Sequence, residues 1–195
     1  MIIGTMSQET TGCTVAEYLS LRLSELNIGH LFAVPGNYCA DFLVAARQGR
    51  LSVIGATNEL EAGYAADAYS RVSGFGAVCV TYGVGSMSLL NAIAGSYVER
   101  CPVVLISGGP SPKEITEELE KGILFLHSTG HFRTDFDVFR NVTEAADLVN
   151  DADHAPEQID RLLEVCIRTR RPVYKQCVLP SRWLTQACAC FHRQI

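Results

Sequence analysis

The chain has 195 residues, 48% of them hydrophobic and 19% charged, with 21 acidic against 16 basic side chains and a formal net charge of −5. A chain of this size reads as one globular domain burying about 70% of its unfolded surface. Dispersed charge of net negative sign argues against nucleic-acid binding. No apolar run reaches the ~18 residues of a membrane span, and the start MIIGTMSQETTG lacks the basic end and apolar stretch of a signal peptide, so a cytoplasmic protein is expected.

Residues 1–11 read as an N-terminal extension. Thr14 opens a helix with Glu17 three positions on, a capping box, and Val15, Leu19, Leu23 and Leu26 line one face. Residues 30–34 form the first strand, stopped by Pro35 and Gly36, and a helix follows over 41–48. Residues 51–56 form the second strand and 58–72 the next helix, capped by Asn58. A strand over 76–81, a helix over 86–99, a strand over 102–107 and an acidic helix near 115–120 come next. Residues 139–142 are a short strand candidate, 156–168 an amphipathic helix and 172–179 the last strand. Regular alternation of strand and helix predicts a doubly wound, three-layer α/β/α fold around a parallel sheet of about six strands, spanning 12–183, with 184–195 as a C-terminal tail.

The eight cysteines indicate no disulfide framework, since Cys79, Cys101, Cys166 and Cys177 lie in apolar runs where a thiol acts as a small hydrophobe. Cys188, Cys190 and His192 in the tail are metal-ligating residue types without an established ligand spacing or a fourth partner, so no metal site is assigned.

Ligands of an open parallel sheet bind beyond the carboxyl ends of its strands. Five segments lie there: VPGNY at 34–38, TNE at 57–59, TYGVGS at 81–86, SGGPSP at 107–112 and, after the acidic helix, LHSTGHF at 126–132. Gly83 and Gly85 suit either a phosphate-cradling turn or a tight turn with positive φ; a dinucleotide fingerprint would need a third glycine where Ser88 stands. Glu59, at the mouth of a helix with small first turns, can hold a proton beside a heterocyclic base. It equally suits the helix macrodipole.

Six segments in one order carry a resemblance: VPGNYCADFL, TNELEAGYAADAYSR, TYGVGSMSLLNAIAGSYVER, PVVLISGGPSP, LHSTGHF and RPVYKQCVLPSRW. Together they cover nearly all of 12–183, and the region resembles the pyrimidine-binding domain of thiamine diphosphate-dependent enzymes of the pyruvate and indolepyruvate decarboxylase type. The resemblance implies that Glu59 hydrogen-bonds the aminopyrimidine of thiamine diphosphate, that Thr81 and Val84 lie against that ring, and that Pro35 and Gly36 flank a 2-oxo acid substrate. His127 would be an acid. Two positions depart from the family pattern: Asn37 stands where an aspartate is usual, and Ser128 where the second of two histidines is usual. An amide does not titrate in the working range. Slower proton delivery there would let an acyl acceptor compete, turning a decarboxylase into a carboligase.

The family's diphosphate and Mg²⁺ are held by a second domain marked by GDG, which this chain lacks. Three readings follow: one subunit of a split enzyme whose diphosphate-binding domain is a separate chain, a catalytically silent interaction or regulatory module, or an N-terminal piece of a longer decarboxylase. A homodimer is expected, with Ala62, Ala65 and Ala66 on one helix and Ala92 and Ala94 on the next allowing close approach of a twin.

Overall fold

The structure, a computed structural model, describes residues 13–178 and the backbone of 187–188. The side chains of Cys188, Cys190 and His192 lie outside the described residues. In chain order the elements are β1 (Cys13–Thr14), α1 (Val15–Glu25), β2 (His30–Ala33), α2 (Ala40–Gln48), β3 (Ser52–Gly55), α3 (Glu59–Ser73), β4 (Gly76–Thr81), α4 (Val84–Met87), α5 (Leu90–Val98), β5 (Val103–Gly108), α6 (Pro112–Lys121), α7 (Thr134–Phe139), β6 (Ala145–Val149), α8 (Ala155–Thr169), β7 (Val173–Cys177) and β8 (Ala187–Cys188). Six strands form a parallel sheet in the order β3-β2-β4-β5-β7-β6, while β1 and β8 pair antiparallel. The expected three-layer α/β/α architecture is therefore present.

Local chemistry explains most element boundaries. Thr14 and Glu17 form the expected capping box, and Ser111 and Glu114 form a second one at the start of α6. Asn58 caps α3 by accepting the Glu61 N–H. Strands β4 and β5 are buried at every position, as central parallel strands covered on both faces must be. One core cluster lies between the sheet and α1, α2 and α8, and a second between the sheet and α3, α5 and α7.

Three expectations are corrected. Residues 139–142 are not a strand: Phe139 ends α7, packs on Tyr174 with ring centroids 4.9 Å apart, and has its carbonyl taken by Thr143 Oγ1. The strand is β6, three residues later, an edge strand whose Ala-Ala-Asp start carries no β signal and whose Asp147 is paired outward with Arg161. The single helix over 86–99 is two helices, α4 and α5, joined by tight turns in which Ser88 N–H and Leu89 N–H bond carbonyls three residues back. Finally, Cys39, Cys79, Cys101, Cys166 and Cys177 are free and buried, but Cys13 is disulfide-bonded.

Candidate active site

Strand β2 connects to β3 on one side while β4 lies on the other, so the sheet has a topological switch between the carboxyl ends of β2 and β4. That is where an open parallel sheet leaves a crevice. The turn at 34–36 leaves β2, Thr81 ends β4, and Glu59 begins α3 just after β3. Close backbone packing draws them together. A side-chain carbon on Gly36 would stand 3.0 Å from Thr81 Cβ, and one on Gly85 would stand 2.5 Å from Thr81 Cγ2 and 3.6 Å from Glu59 Oε1. Gly36, Thr81, Gly85 and the Glu59 carboxyl thus form one locus.

Two polar atoms there are uncommitted. Glu59 is half-buried, and no side chain among the described residues bonds its carboxyl, because Asn58 caps the helix and Thr57 Oγ1 takes up Glu61 instead. Thr81 is buried, and its Oγ1 has no hydrogen-bond partner among the described residues. A buried hydroxyl without a partner is costly, so a ligand that bonds it is favoured.

Beside this locus, Gly83 adopts φ 64° with its Cα against the His127 carbonyl: a side-chain carbon there would fall 1.9 Å from that oxygen. This settles the glycine at 83 as a turn residue that no other amino acid fits. The Val84 N–H donates to the same carbonyl, and the Val84 side chain stays exposed beside Gly85. The His127 ring stands edge-on to Tyr38 and Tyr82, centroids 6.4 Å from each, and those two tyrosines meet edge to face at 5.0 Å. Tyr38 donates to Glu114 Oε1 at 3.2 Å; burial and then the Glu114 carboxylate push its phenol pKa up. Burial raises the Tyr82 phenol further. Pro35 and Asn37 are exposed on the 34–38 turn. Ser128 is engaged elsewhere, its hydroxyl donating to the buried Glu118 at 3.0 Å.

Of the expected site residues, the structure gathers Gly36, Glu59, Thr81 and the Val84 backbone around Gly85, with His127 reaching the same turn through its carbonyl. Sequence reasoning missed Tyr82, Glu118 and Asp135. Aromatic and acidic residues in a loop and an acidic helix read as solvated, and the signal that could have flagged Tyr82 is its place directly after a strand that is apolar up to its last residue, Thr81.

The donor set fits an aminopyrimidine, a flat ring with a nitrogen facing a carboxyl and an edge to which a threonine hydroxyl can bond. Among the described residues, no group of three or more His, Cys, Asp or Glu side chains could hold a metal ion, and no helix is long and apolar enough to cross a membrane.

A family model for the thiamine pyrophosphate enzyme N-terminal TPP binding domain matches residues 13–137. Over 178 residues the chain is 41% identical to pyruvate decarboxylase 2 of Nicotiana tabacum, covering 88% of this chain and 28% of that protein. It is 40% identical over 159 residues to a pyruvate decarboxylase of Aspergillus parasiticus, covering 82% and 27%, and 39% identical over 168 residues to pyruvate decarboxylase 1 of Zea mays, covering 84% and 27%. The chain therefore spans under a third of these relatives' length. With the glycine-lined carboxyl site at the switch point and the family match over most of the described residues, the chain belongs to the thiamine pyrophosphate enzymes, through their N-terminal TPP binding domain.

Proposed function

We propose that this chain is the pyrimidine-binding part of a thiamine diphosphate-dependent 2-oxo acid decarboxylase or carboligase, with the diphosphate and Mg²⁺ held by a diphosphate-binding domain on a partner chain or elsewhere in a longer protein. The carrying observation is the uncommitted Glu59 carboxyl, whose Oε1 faces Gly85 beside the unpartnered Thr81 hydroxyl. Bound thiamine diphosphate supplies an electron sink for the carbon that loses carbon dioxide. Glu59 holds and returns a proton at a pyrimidine ring nitrogen, Thr81 and the Val84–Gly85 backbone orient the ring, and Pro35 and Gly36 border the substrate. His127 is the proposed proton donor, and Asn37, an exposed amide, offers hydrogen bonds to substrate without titrating. Weak proton delivery at Asn37 favours ligation to an aldehyde acceptor over release. The cytoplasm is the proposed compartment.

The test is deuterium exchange at the thiazolium carbon after the chain is combined with a diphosphate-binding partner. Glu59→Gln keeps the shape and removes the shared proton, so exchange is expected to slow by about a hundredfold with assembly intact. An unchanged rate takes Glu59 out of the mechanism.

One observation favours a second reading, a catalytically silent module: Ser128, where the second histidine is usual, has its hydroxyl tied to Glu118. A Glu59→Gln variant without effect, together with intact association, would select it.

Homodimerisation is part of the proposal, and of the five alanines expected at the interface Ala65 and Ala94 are left partly exposed. Ala62, Ala66 and Ala92 are buried inside the protomer, where Gly63 lets α3 approach α5: a side-chain carbon on Gly63 would meet Leu89 and Ala92 at 2.7 and 2.8 Å. They cannot touch a twin. Leu60 and Tyr64, one turn apart on α3, are exposed, as is Val98 on α5, and Asn91, two turns before Val98, bonds Tyr64 Oη at 2.7 Å across the two helices. Such a patch suits a self-complementary interface. Sedimentation is expected to give a dimer at tens of micromolar, and Tyr64→Glu to raise its dissociation constant at least about tenfold. A wild-type monomer at that concentration refutes the dimer.

A further inference from the structure

Asp135, the second residue of α7, is 1% exposed, and among the described residues none of its hydrogen-bond partners is a lysine or arginine. Its carboxyl is surrounded by neutral donors. Oδ2 accepts from the Gly83 N–H at 3.0 Å, the Ser86 hydroxyl at 2.7 Å and the Tyr174 hydroxyl at 3.0 Å. Oδ1 accepts from the Phe136 N–H at 3.0 Å and, at 3.4 Å, from Gln176 Nε2. Tyr174 is itself fixed by a 2.7 Å hydrogen bond with Ser107 on β5.

Burying a carboxyl without a cation is costly, and an apolar residue of like volume would serve packing alone as well or better. The arrangement accomplishes something more local. Its two strongest contacts outside the sheet fall on the two ends of one turn, Gly83 and Ser86, whose middle residues are Val84 and Gly85. Within the turn the Ser86 hydroxyl also approaches the Gly83 carbonyl at 3.0 Å, and in its middle the Val84 N–H reaches the His127 carbonyl at 3.4 Å and Gly85 rests on Thr81; among the described residues Asp135 is the side chain outside the turn that bonds both of its ends. The Gly83 N–H is directed into the protein by φ 64°, and Asp135 is its acceptor.

We propose that Asp135 is a positioning residue for the candidate site, holding both ends of the Gly83–Ser86 turn from α7, itself packed on the sheet through Phe136 and Phe139, and so fixing where Gly85 stands against the Glu59 carboxyl. The proposal rests on the reading of the Glu59 locus as the pyrimidine site. It adds a residue that touches no ligand and lies 76 positions from Glu59 in the sequence, on a helix beyond the His127 loop. Asparagine at 135 is isosteric but uncharged and has one carbonyl oxygen: set toward Gly83, Ser86 and Tyr174 it turns its NH₂ against the Phe136 N–H, and set the other way it turns the NH₂ against the Gly83 N–H, so the bonds to the turn are weakened or lost in either orientation. The turn is then free to open while the strands beneath it, buried at every position, hold.

The test is residue-resolved amide hydrogen exchange on the 195-residue chain, with the Gly83 amide read against β4 and β5 amides that report global opening. Asp135→Asn is expected to speed Gly83 exchange at least about tenfold beyond any change in those strands, the loss of one charge-assisted hydrogen bond, and to shift the Gly85 amide and Glu59 carboxyl resonances. Tyr174→Phe, which removes only the sheet-side contact, is expected to leave the Gly83 rate and the Glu59 resonance near wild type. If Asp135→Asn does not fold, Ser86→Ala keeps the carboxyl and releases one end of the turn, and the Gly85 and Glu59 signals are expected to move in it as well. Gly83 exchange rising only in step with the strands, equal effects of Asp135→Asn and Tyr174→Phe, or stationary Glu59 and Gly85 signals would each overturn the proposal and leave Asp135 a core residue. No cofactor enters this measurement. A moved turn alongside unchanged thiazolium exchange in Glu59→Gln would therefore keep the clamp and reject the catalytic reading.

Discussion

Gly108→Ala is expected to destabilise the domain by about 3 kcal/mol, near the upper end of what overpacking a filled site costs. Gly108 ends β5, and a side-chain carbon there would fall 1.7 Å from the Tyr38 carbonyl oxygen, 2.3 Å from its carbon and 2.9 Å from the Cys39 nitrogen. All three are backbone atoms, so no rotamer change relieves the contact. The strand cannot yield either, because Gly108 is paired on one side with Thr81 and on the other with Cys177, and its carbonyl takes the Tyr82 N–H at 2.9 Å. What must move is the 36–39 turn, closed by a Cys39 N–H to Gly36 carbonyl bond of 3.1 Å. That turn carries Asn37 and the Tyr38 ring against Tyr82. The substitution therefore disturbs the proposed substrate side of the site as well as stability. Urea unfolding checks it, with Gly55→Ala as control, since nothing lies within 4 Å of the added carbon there. A Gly108→Ala midpoint matching that of Gly55→Ala would show that the packing of the turn on β5 is looser than described.

Lys175→Met is expected to stabilise the domain at pH 7 by about 3 kcal/mol. Lys175 lies in β7, is wholly buried, and its Nζ has no hydrogen-bond partner among the described residues. Burial pulls its pKa down from 10.5 to about 8, with Cys177 and Asp147 opposing the shift weakly. A folded pKa below the unfolded one means that the unfolded chain binds more protons between these values, so wild-type stability rises with pH from about 8 to about 10.5. Below pH 8 the full penalty for the buried ammonium is present, and at roughly 1.4 kcal/mol per pKa unit it amounts to about 3 kcal/mol. Methionine fills a similar volume without the charge. The gain of the variant over wild type should be largest at neutral pH and shrink as pH rises through 10. Comparing the two proteins at each pH cancels the alkaline titration of the tyrosines and other cysteines. A difference that is absent at pH 7, or constant from pH 7 to 10, would mean that the ammonium is solvated or paired in the native state.

The Lys175 case also marks where sequence reading stops. RPVYKQCVLP reads correctly as a final strand, since its apolar content and flanking prolines are local signals, yet nothing local tells whether the lysine in the middle faces water. The capping box at Thr14 and the Asn58 cap were legible because each is decided within one turn of chain, whereas the second box, at Ser111, lay ahead of a helix expected only near 115–120. The β6 strand was not, because an edge strand starting Ala-Ala-Asp is held by pairing with β7 and not by propensity. The small residues of α3 were legible as a site of close approach, but whether to α5 or to a second copy is a matter of which face the sheet leaves open.

By itself the sequence determined the three-layer fold, the family, and the short segments at which a site could form, because strand ends and the residues just after them are marked locally by glycine, proline and capping side chains. Only the tertiary structure decided which of those segments meet. Gly36, Thr81 and Gly85 converge on Glu59 because the strand order places β2 beside β4 and glycine backbones allow contacts that a single added carbon would block. Asp135 is buried under the 83–86 turn because α7 packs on the sheet through Phe136 and Phe139, which turns the carboxyl beside them inward. Those are long-range contacts, and a carboxyl's neighbours across 49 to 52 positions of chain leave no trace in the residues next to it.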